Sequence, residues 1–155
     1  ERLPPQGSWD PQGHCEVFFD RSGLLSGSCL VASGLLSGGF TRETVFPEAD
    51  HRRFNCTGAG FDRGETFAGV DYEVGLAAVE RLRPLVPPGA TLAQLALRWI
   101  LSFEAVSCVI PGARRPEQVT ANATASDLAP LDPATLAAVQ ETYDDLIRPL
   151  VHQRW

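Results

Sequence analysis

Between Thr91 and Ala125 a helical pattern, a short apolar run and a second helical start follow one another, an order that leaves few architectures open. Thr91 opens the first helix: its hydroxyl can accept from the amide three residues on, and Gln94 there can reply to the amide of Thr91, the two halves of a capping box. Leu92, Leu95, Ala96, Trp99, Ile100 and Phe103 then form a wide apolar face. Gln94, Arg98 and Ser102 leave only a thin polar stripe, so the helix over 91–103 is predicted to be mostly buried. Ala105-Val106-Ser107-Cys108-Val109-Ile110 comes next and is closed by Pro111-Gly112, the pattern of a strand buried on both faces of a parallel sheet. Pro116, a favoured first helical residue, opens a helix to about Ala125. This succession points to an α/β architecture with a parallel sheet.

The flanks add two helices. Val74, Ala78, Leu82 and Leu85 share one helical face, predicting a helix over 73–86 that ends near Pro87-Pro88-Gly89. Asp132-Pro133 repeats a cap-then-proline signal for a last helix, with Leu136, Val139, Tyr143 and Leu146 apolar and Pro149 as its stop. From 41 to 72 the chain is polar and turn-rich, and a stretch that long without structure in a compact domain reads as a lid or binding loop. Residues 1–27 show no sustained period beyond a short strand candidate at Val17-Phe18-Phe19, and they stay unassigned, as a foreign or disordered extension. Gly23-Leu24-Leu25-Ser26-Gly27 recurs as Gly34-Leu35-Leu36-Ser37-Gly38, a repeat far too short for a solenoid.

Composition limits the partners. Nineteen acids against thirteen bases give a net charge of −6, which argues against general affinity for nucleic acid or an anionic membrane. The longest apolar run, Leu92 to Leu101, is broken by Gln94 and Arg98 and falls short of the ~20 residues that a membrane span needs. Glu1-Arg2-Leu3-Pro4-Pro5 has no apolar signal region, so a cytoplasmic protein is expected. Cys15, Cys29, Cys56 and Cys108 form no CxxC and predict reduced, mostly buried thiols rather than a zinc or redox motif. His14, His51 and His152 are scattered surface candidates without metal-ligand spacing, and Glu141, Asp144 and Asp145 read as a solvated helix face. The chain opens on Glu1 and has no methionine, so it is not expected to begin where a translated gene begins. It also has no lysine, since all thirteen bases are arginine, which removes any mechanism that needs a lysine from this chain.

Two segments could bind a ligand. At Ile110-Pro111-Gly112-Ala113-Arg114-Arg115-Pro116-Glu117-Gln118 a strand ends, a glycine permits close backbone approach and a helix begins. Free amides and the positive end of a helix dipole suit an anion there. Two arginines at that end are unfavourable to the dipole on their own, and an anionic ligand would resolve the conflict, because the guanidinium fork matches a phosphate. A pair of solvated arginines on a surface loop is the open alternative. The second segment, Ala32-Ser33-Gly34-Leu35-Leu36-Ser37-Gly38-Gly39, is a small-residue turn whose amides could approach a phosphate.

With these residues in view, the chain resembles the aldo/keto reductases, in particular the bacterial general-stress or glyceraldehyde-3-phosphate reductase-like branch. The resemblance rests on Thr91-Leu92-Ala93-Gln94-Leu95-Ala96-Leu97-Arg98-Trp99-Ile100-Leu101, on Val106 to Arg114 with Gln118 and Asn122 after it, on Ala32 to Gly38, and on the ending from Ile147-Arg148-Pro149 to Trp155. It covers residues 28–155 and implies a (β/α)8 TIM barrel, of which about the last two βα units and the C-terminal helix are present. It implies hydride transfer from NADP(H) to a small-molecule aldehyde or ketone. It also implies cofactor contacts at Ala32, Gly34, Leu36 and Gly38 near the pyrophosphate, and at Gly112, Arg114, Gln118 and Asn122 near the adenosine and its 2′-phosphate. The family's loop begins Pro-Leu-Ala and ends Gly-Lys, where this chain has Leu30-Val31-Ala32 and Gly38-Gly39, and a glutamate of the second motif is Ala121 here. The family's catalytic tetrad of Asp, Tyr, Lys and His belongs to earlier parts of a barrel of ~250 residues. No catalytic residue and no metal ligand is therefore assigned. The implied protein is a reductase part inactive by itself, with the missing barrel half as partner. The alternative is a non-catalytic nucleotide-binding or regulatory partial barrel, or a degenerate gene product.

Overall fold

The computed structural model describes residues 18–19, 24–26, 28–55, 69–104 and 106–154. Two short strands come first, β1 (Phe18–Phe19) and β2 (Leu24–Ser26). A stretch of 3-10 turns over Ser28–Ser37 follows, and then a one-turn helix α1 (His51–Phe54), whose N-cap Asp50 accepts from the Arg52 amide. The long helices are α2 (Tyr72–Leu82), extended by a 3-10 turn at Arg83–Leu85, and α3 (Leu92–Ile100). Strand β3 (Cys108–Ile110), helix α4 (Pro116–Ala123), helix α5 (Pro133–Thr142) and helix α6 (Arg148–Val151) complete the order.

The sheet runs β1-β2-β3. β1 and β2 are antiparallel, whereas β2 and β3 are parallel, with Leu24 opposite Cys108 and Ser26 opposite Ile110. The parallel pair is joined by a long crossover through α2 and α3, as parallel strands require. The strand candidate at Phe18–Phe19 is present, and β2 is a second strand in the segment that the sequence leaves unassigned. The rest of residues 1–27, apart from those strands, lies outside the described residues, and so does the reading of it as foreign or disordered.

The core lies between the 3-10 stretch, α2 and α3. Leu35, Phe46, Leu76, Val79, Leu92 and Leu95 form one buried cluster, with Phe40, Tyr72 and Leu82 packed against it. Phe46 meets Phe40 and Tyr72 edge to face, at ring separations of 5.2 and 5.9 Å. The turn-rich segment after residue 41 is therefore seated on the core as far as Asn55, and its continuation over 56–68 lies outside the described residues. The capping box on α3 is formed: Thr91 Oγ1 accepts from the Gln94 amide at 3.2 Å and Gln94 Oε1 from the Thr91 amide at 2.8 Å.

The structure departs from the expectations at five points. The strand before Pro111 is not buried on both faces: Cys108 is exposed and Ile110 is 50% exposed, alternate residues on one face of β3. Only Val109 is half-buried, beside Leu97, Leu101 and Ala125 around a cavity of ≈ 300 Å³. Cys108 is accordingly an exposed thiol rather than a buried one. In α2 the buried residues are Gly75, Leu76, Ala78 and Val79, so the buried face is wider than the predicted Val74–Leu85 line, of which Ala78 is buried and Leu82 and Leu85 pack against the core cluster. Phe103 in the predicted α3 face is 49% exposed, where Trp99 meets it edge to face, while Leu97 is buried. Pro149 does not stop the last helix. A π turn over Tyr143–Ile147 carries the Arg148 amide back to the Tyr143 carbonyl, and α6 then runs through the proline. Slipping the register by one residue is a known way to pass a site where the ordinary ladder fails.

The acidic residues of that last helix are also not simply solvated. Arg81 on α2 pairs with Asp145 at 2.6 Å, and Arg148 pairs with Asp144 at 2.6 Å. His152 Nδ1 and the Tyr143 hydroxyl are 2.8 Å apart.

Candidate nucleotide site at the ends of two parallel strands

Because β2 and β3 are parallel neighbours, the chain leaves both strands at the same end of the sheet. The residues after Ser26 enter the 28–38 turn, and those after Ile110 enter Pro111–Arg115. The two segments singled out in the sequence thus leave adjoining carboxyl ends, the end at which open and closed parallel sheets bind ligands.

The first loop has an uncommon backbone. Ala32, Ser33 and Gly34 have φ of 49°, 51° and 94°, three left-handed residues in a row, two of them not glycine. Such residues cost free energy and persist where their surroundings hold them. Leu35 drops into the core directly after them, and the Gly38 amide closes a turn on the Leu35 carbonyl at 3.1 Å. A Cβ on Gly34 would stand 3.3 Å from the Phe40 ring, and Gly38, at φ 74°, rests against Leu92 at the start of α3. Ala32 and Leu36 are half-buried against the core cluster.

Sequence reading missed the residues that hold this loop. Arg52 Nη1 donates to the Ser33 carbonyl at 3.3 Å, its Nε donates to Asp50 at 2.9 Å, and its guanidinium lies over Phe40 and Phe46 at 5.3 and 4.9 Å. The bidentate bond from Arg52 holds the Asp50 carboxyl at about 2, below the usual carboxylate range, against the opposing effect of burial. The only local signal was Asp50 as a cap before a very short helix. Arg83 Nη2 adds a longer contact, 3.4 Å, to the Gly38 carbonyl.

The second loop is open. Arg114 and Arg115 line a shallow groove of ≈ 550 Å³ with Ala113, Pro116, Val119 and Thr120. Among the described residues neither guanidinium is paired with a carboxylate. The amides expected to be free are not all so: Gln118 Oε1 accepts from the amides of Arg114 at 2.8 Å and Arg115 at 3.1 Å. A side-chain cap thus occupies two donors that the sequence offered to an anion, and the two guanidinium groups are what faces outward. Asn122 Nδ2 donates to the Gly112 carbonyl at 3.5 Å, so Gly112, Arg114, Gln118 and Asn122 are drawn together around the start and end of α4. Gln94 ties that helix to α3 through the Ala121 carbonyl and the Thr124 hydroxyl, each at 2.9 Å. Helix α3 therefore touches both loops, Leu92 on the Gly38 side and Gln94 on the α4 side.

Among the described residues no group of His, Cys, Asp and Glu could hold a metal ion, and no helix is long and apolar enough to cross a membrane. No curated protein matches the chain. A family model described as the aldo/keto reductase family matches residues 24–144, opening at β2 and running through both candidate loops into the π turn. The match spans most of the 155 residues, and the chain belongs to the aldo/keto reductase family.

Proposed function

We propose that this chain is the cofactor-holding, carboxy-terminal part of an NADP-dependent aldo/keto reductase, about the last two βα units of a (β/α)8 barrel with its closing helices, working in the cytoplasm. The observation that carries the reading is the parallel register of β2 and β3, which brings the 28–38 and 111–115 loops out at one end of the sheet. NADPH, when bound, would supply the hydride for an aldehyde or ketone. The residues present fit its adenosine end: Arg114 and Arg115 line an open groove with no carboxylate partner among the described residues, and a guanidinium fork suits a phosphate. Gln118 fixes the backbone that carries them, and Asn122 fixes the Gly112 carbonyl. The Ala32–Gly38 turn would lie along the pyrophosphate. It has Gly39 where the family carries lysine, so its contribution is shape rather than charge.

The proton-donating half of the reaction is assigned to a partner, the remaining part of a barrel. The chain has no lysine to acidify a tyrosine, and its two tyrosines are engaged elsewhere: the Tyr72 hydroxyl donates to the Thr41 carbonyl at 2.9 Å, and Tyr143 pairs with His152. Exposed Ile110 and Cys108, on one face of β3, support the same view, as a sheet face that further barrel elements would cover.

The purified chain should therefore show no NADPH-dependent reduction of aldehydes or diketones, and an oxidation rate that survives repurification would overturn that half of the proposal. Cofactor choice tests the other half. The chain, alone or grafted onto the complementary part of a related barrel, should bind NADPH more tightly than NADH. Arg114→Ala should erase that preference, worth roughly 1.5–3 kcal/mol or about ten- to a hundredfold, without abolishing binding of both. Equal affinities before substitution, or an unchanged ratio after it, would remove Arg114 from the site.

A further inference from the structure

We infer that Arg52 is a positioning residue: it latches the Ala32–Gly34 backbone in its left-handed turn and, through the shape of that loop, sets how tightly the chain holds a dinucleotide. The second clause rests on the nucleotide-holding role proposed above.

The latch is legible in one side chain. A guanidinium offers five donors in a rigid fork. Two sides of this one are fixed, by the Asp50 carboxylate at 2.9 Å from Nε and by the Phe40 and Phe46 rings at 5.3 and 4.9 Å. Its Nη1 donates to the Ser33 carbonyl, in the middle of the run of positive φ. Ala32 and Ser33 have no intrinsic preference for that region, so an external contact has to keep them there. The same residues close the space behind the turn, since a Cβ on Gly34 would meet Phe40 at 3.3 Å and Arg52 Nη1 at 3.7 Å. Both partners of the ion pair are largely shielded, with side chains 16% and 15% exposed, so the fork is held in one geometry rather than sampled on the surface. An ammonium could keep the charge but not the three-way fork.

The test uses the full chain and two probes, NADPH and NADH, with backbone amide exchange at residues 32–35 measured in the ligand-free protein. Arg52→Lys should weaken both dinucleotides by about tenfold with their ratio unchanged, and should raise exchange in the loop by a similar factor. Asp50→Asn leaves every apolar contact in place and should give the same pattern at about threefold, should the lysine variant not fold. Replacing both Ala32 and Ser33 by glycine in the Arg52→Lys background should return most of the lost affinity, because glycine enters the left-handed region unaided. A general packing defect would not be repaired that way. The latch is overturned if Arg52→Lys exchanges and binds like the unaltered chain, or if the glycines leave the loss in place. If the unaltered chain binds neither dinucleotide, the affinity clause falls together with the proposed function. Loop exchange then decides the latch alone, a rise in Arg52→Lys upholding it and no change overturning it.

Discussion

The loop after β2 and the loop after β3 leave the same end of one sheet, yet they are built from opposite materials. The first is folded into the core. Leu35 and Phe46 are buried beneath it, three residues are held in a left-handed backbone, and a shielded arginine–aspartate pair closes it from behind. The second stands on the surface: α4 buries none of its side chains, and its loop is kept by backbone amides donating to Gln118 and by a bond from Asn122. A site needs both shape and charge, and here they are divided. The rigid loop has no charged residue within 28–38, and the arginines that reach it, Arg52 and Arg83, donate to its carbonyls, while the loop with two outward arginines depends on short local bonds for its form. Substitutions in the first should therefore register mainly as stability, and in the second mainly as ligand preference.

The largest break in that comparison should come from Leu35→Ala. It empties a fully packed position and should cost about 2–5 kcal/mol, read as a fall in the denaturant midpoint. Val119→Ala on α4, where the side chain is 59% exposed, should stay within about 0.5 kcal/mol. Comparable losses at the two sites would show that the loops are not built differently after all.

Acid should sharpen the contrast next. Asp50 is held at about 2 in the folded chain, below its ordinary 3.8, so its contribution is fully present above pH 3.8 and is lost as pH falls towards 2. The difference corresponds to about 2 kcal/mol, measurable as unfolding free energy at pH 5 and pH 2. Asp50→Asn should remove that part of the acid dependence, and an unchanged profile would mean that the ion pair contributes no stability. The smallest effect belongs to Gln118→Ala. Loss of the side-chain cap should cost about 1 kcal/mol and speed exchange of the Arg114 and Arg115 amides, leaving residues 32–35 untouched.

What could be read from the sequence was what short-range chemistry encodes. Thr91 and Gln94 cap each other within one turn, and Pro116 marks a helix start by its own ring, so α3 and α4 lie where they were expected. β2 escaped because three residues, Leu24–Ser26, are too few to show alternation, and what makes them a strand is pairing with residues more than eighty positions away. The buried face of α2 reaches past the Val74–Leu85 line to Gly75, Leu76 and Val79, because a glycine admits close packing without standing out as hydrophobic. At the site, the eight proposed contact residues could be named from the motifs, whereas the support behind them could not. Nothing in Ala32-Ser33 announces positive φ, and Arg52 gains its role only when Ser33, Phe40 and Phe46 are brought around it.

The π turn before Pro149 has a consequence of a different kind. One additional residue in that turn rotates everything beyond it by about 100° relative to an uninterrupted helix, and Val151, fully buried, lies beyond it. Removing any single residue from Tyr143–Ile147 would swing Val151 off its seat and bring Pro149 back into conflict with the preceding turn. Exchanging the side chain of exposed Asp145 for another would do neither. Over these few residues the chain is bound more tightly by how many residues it has than by which ones they are.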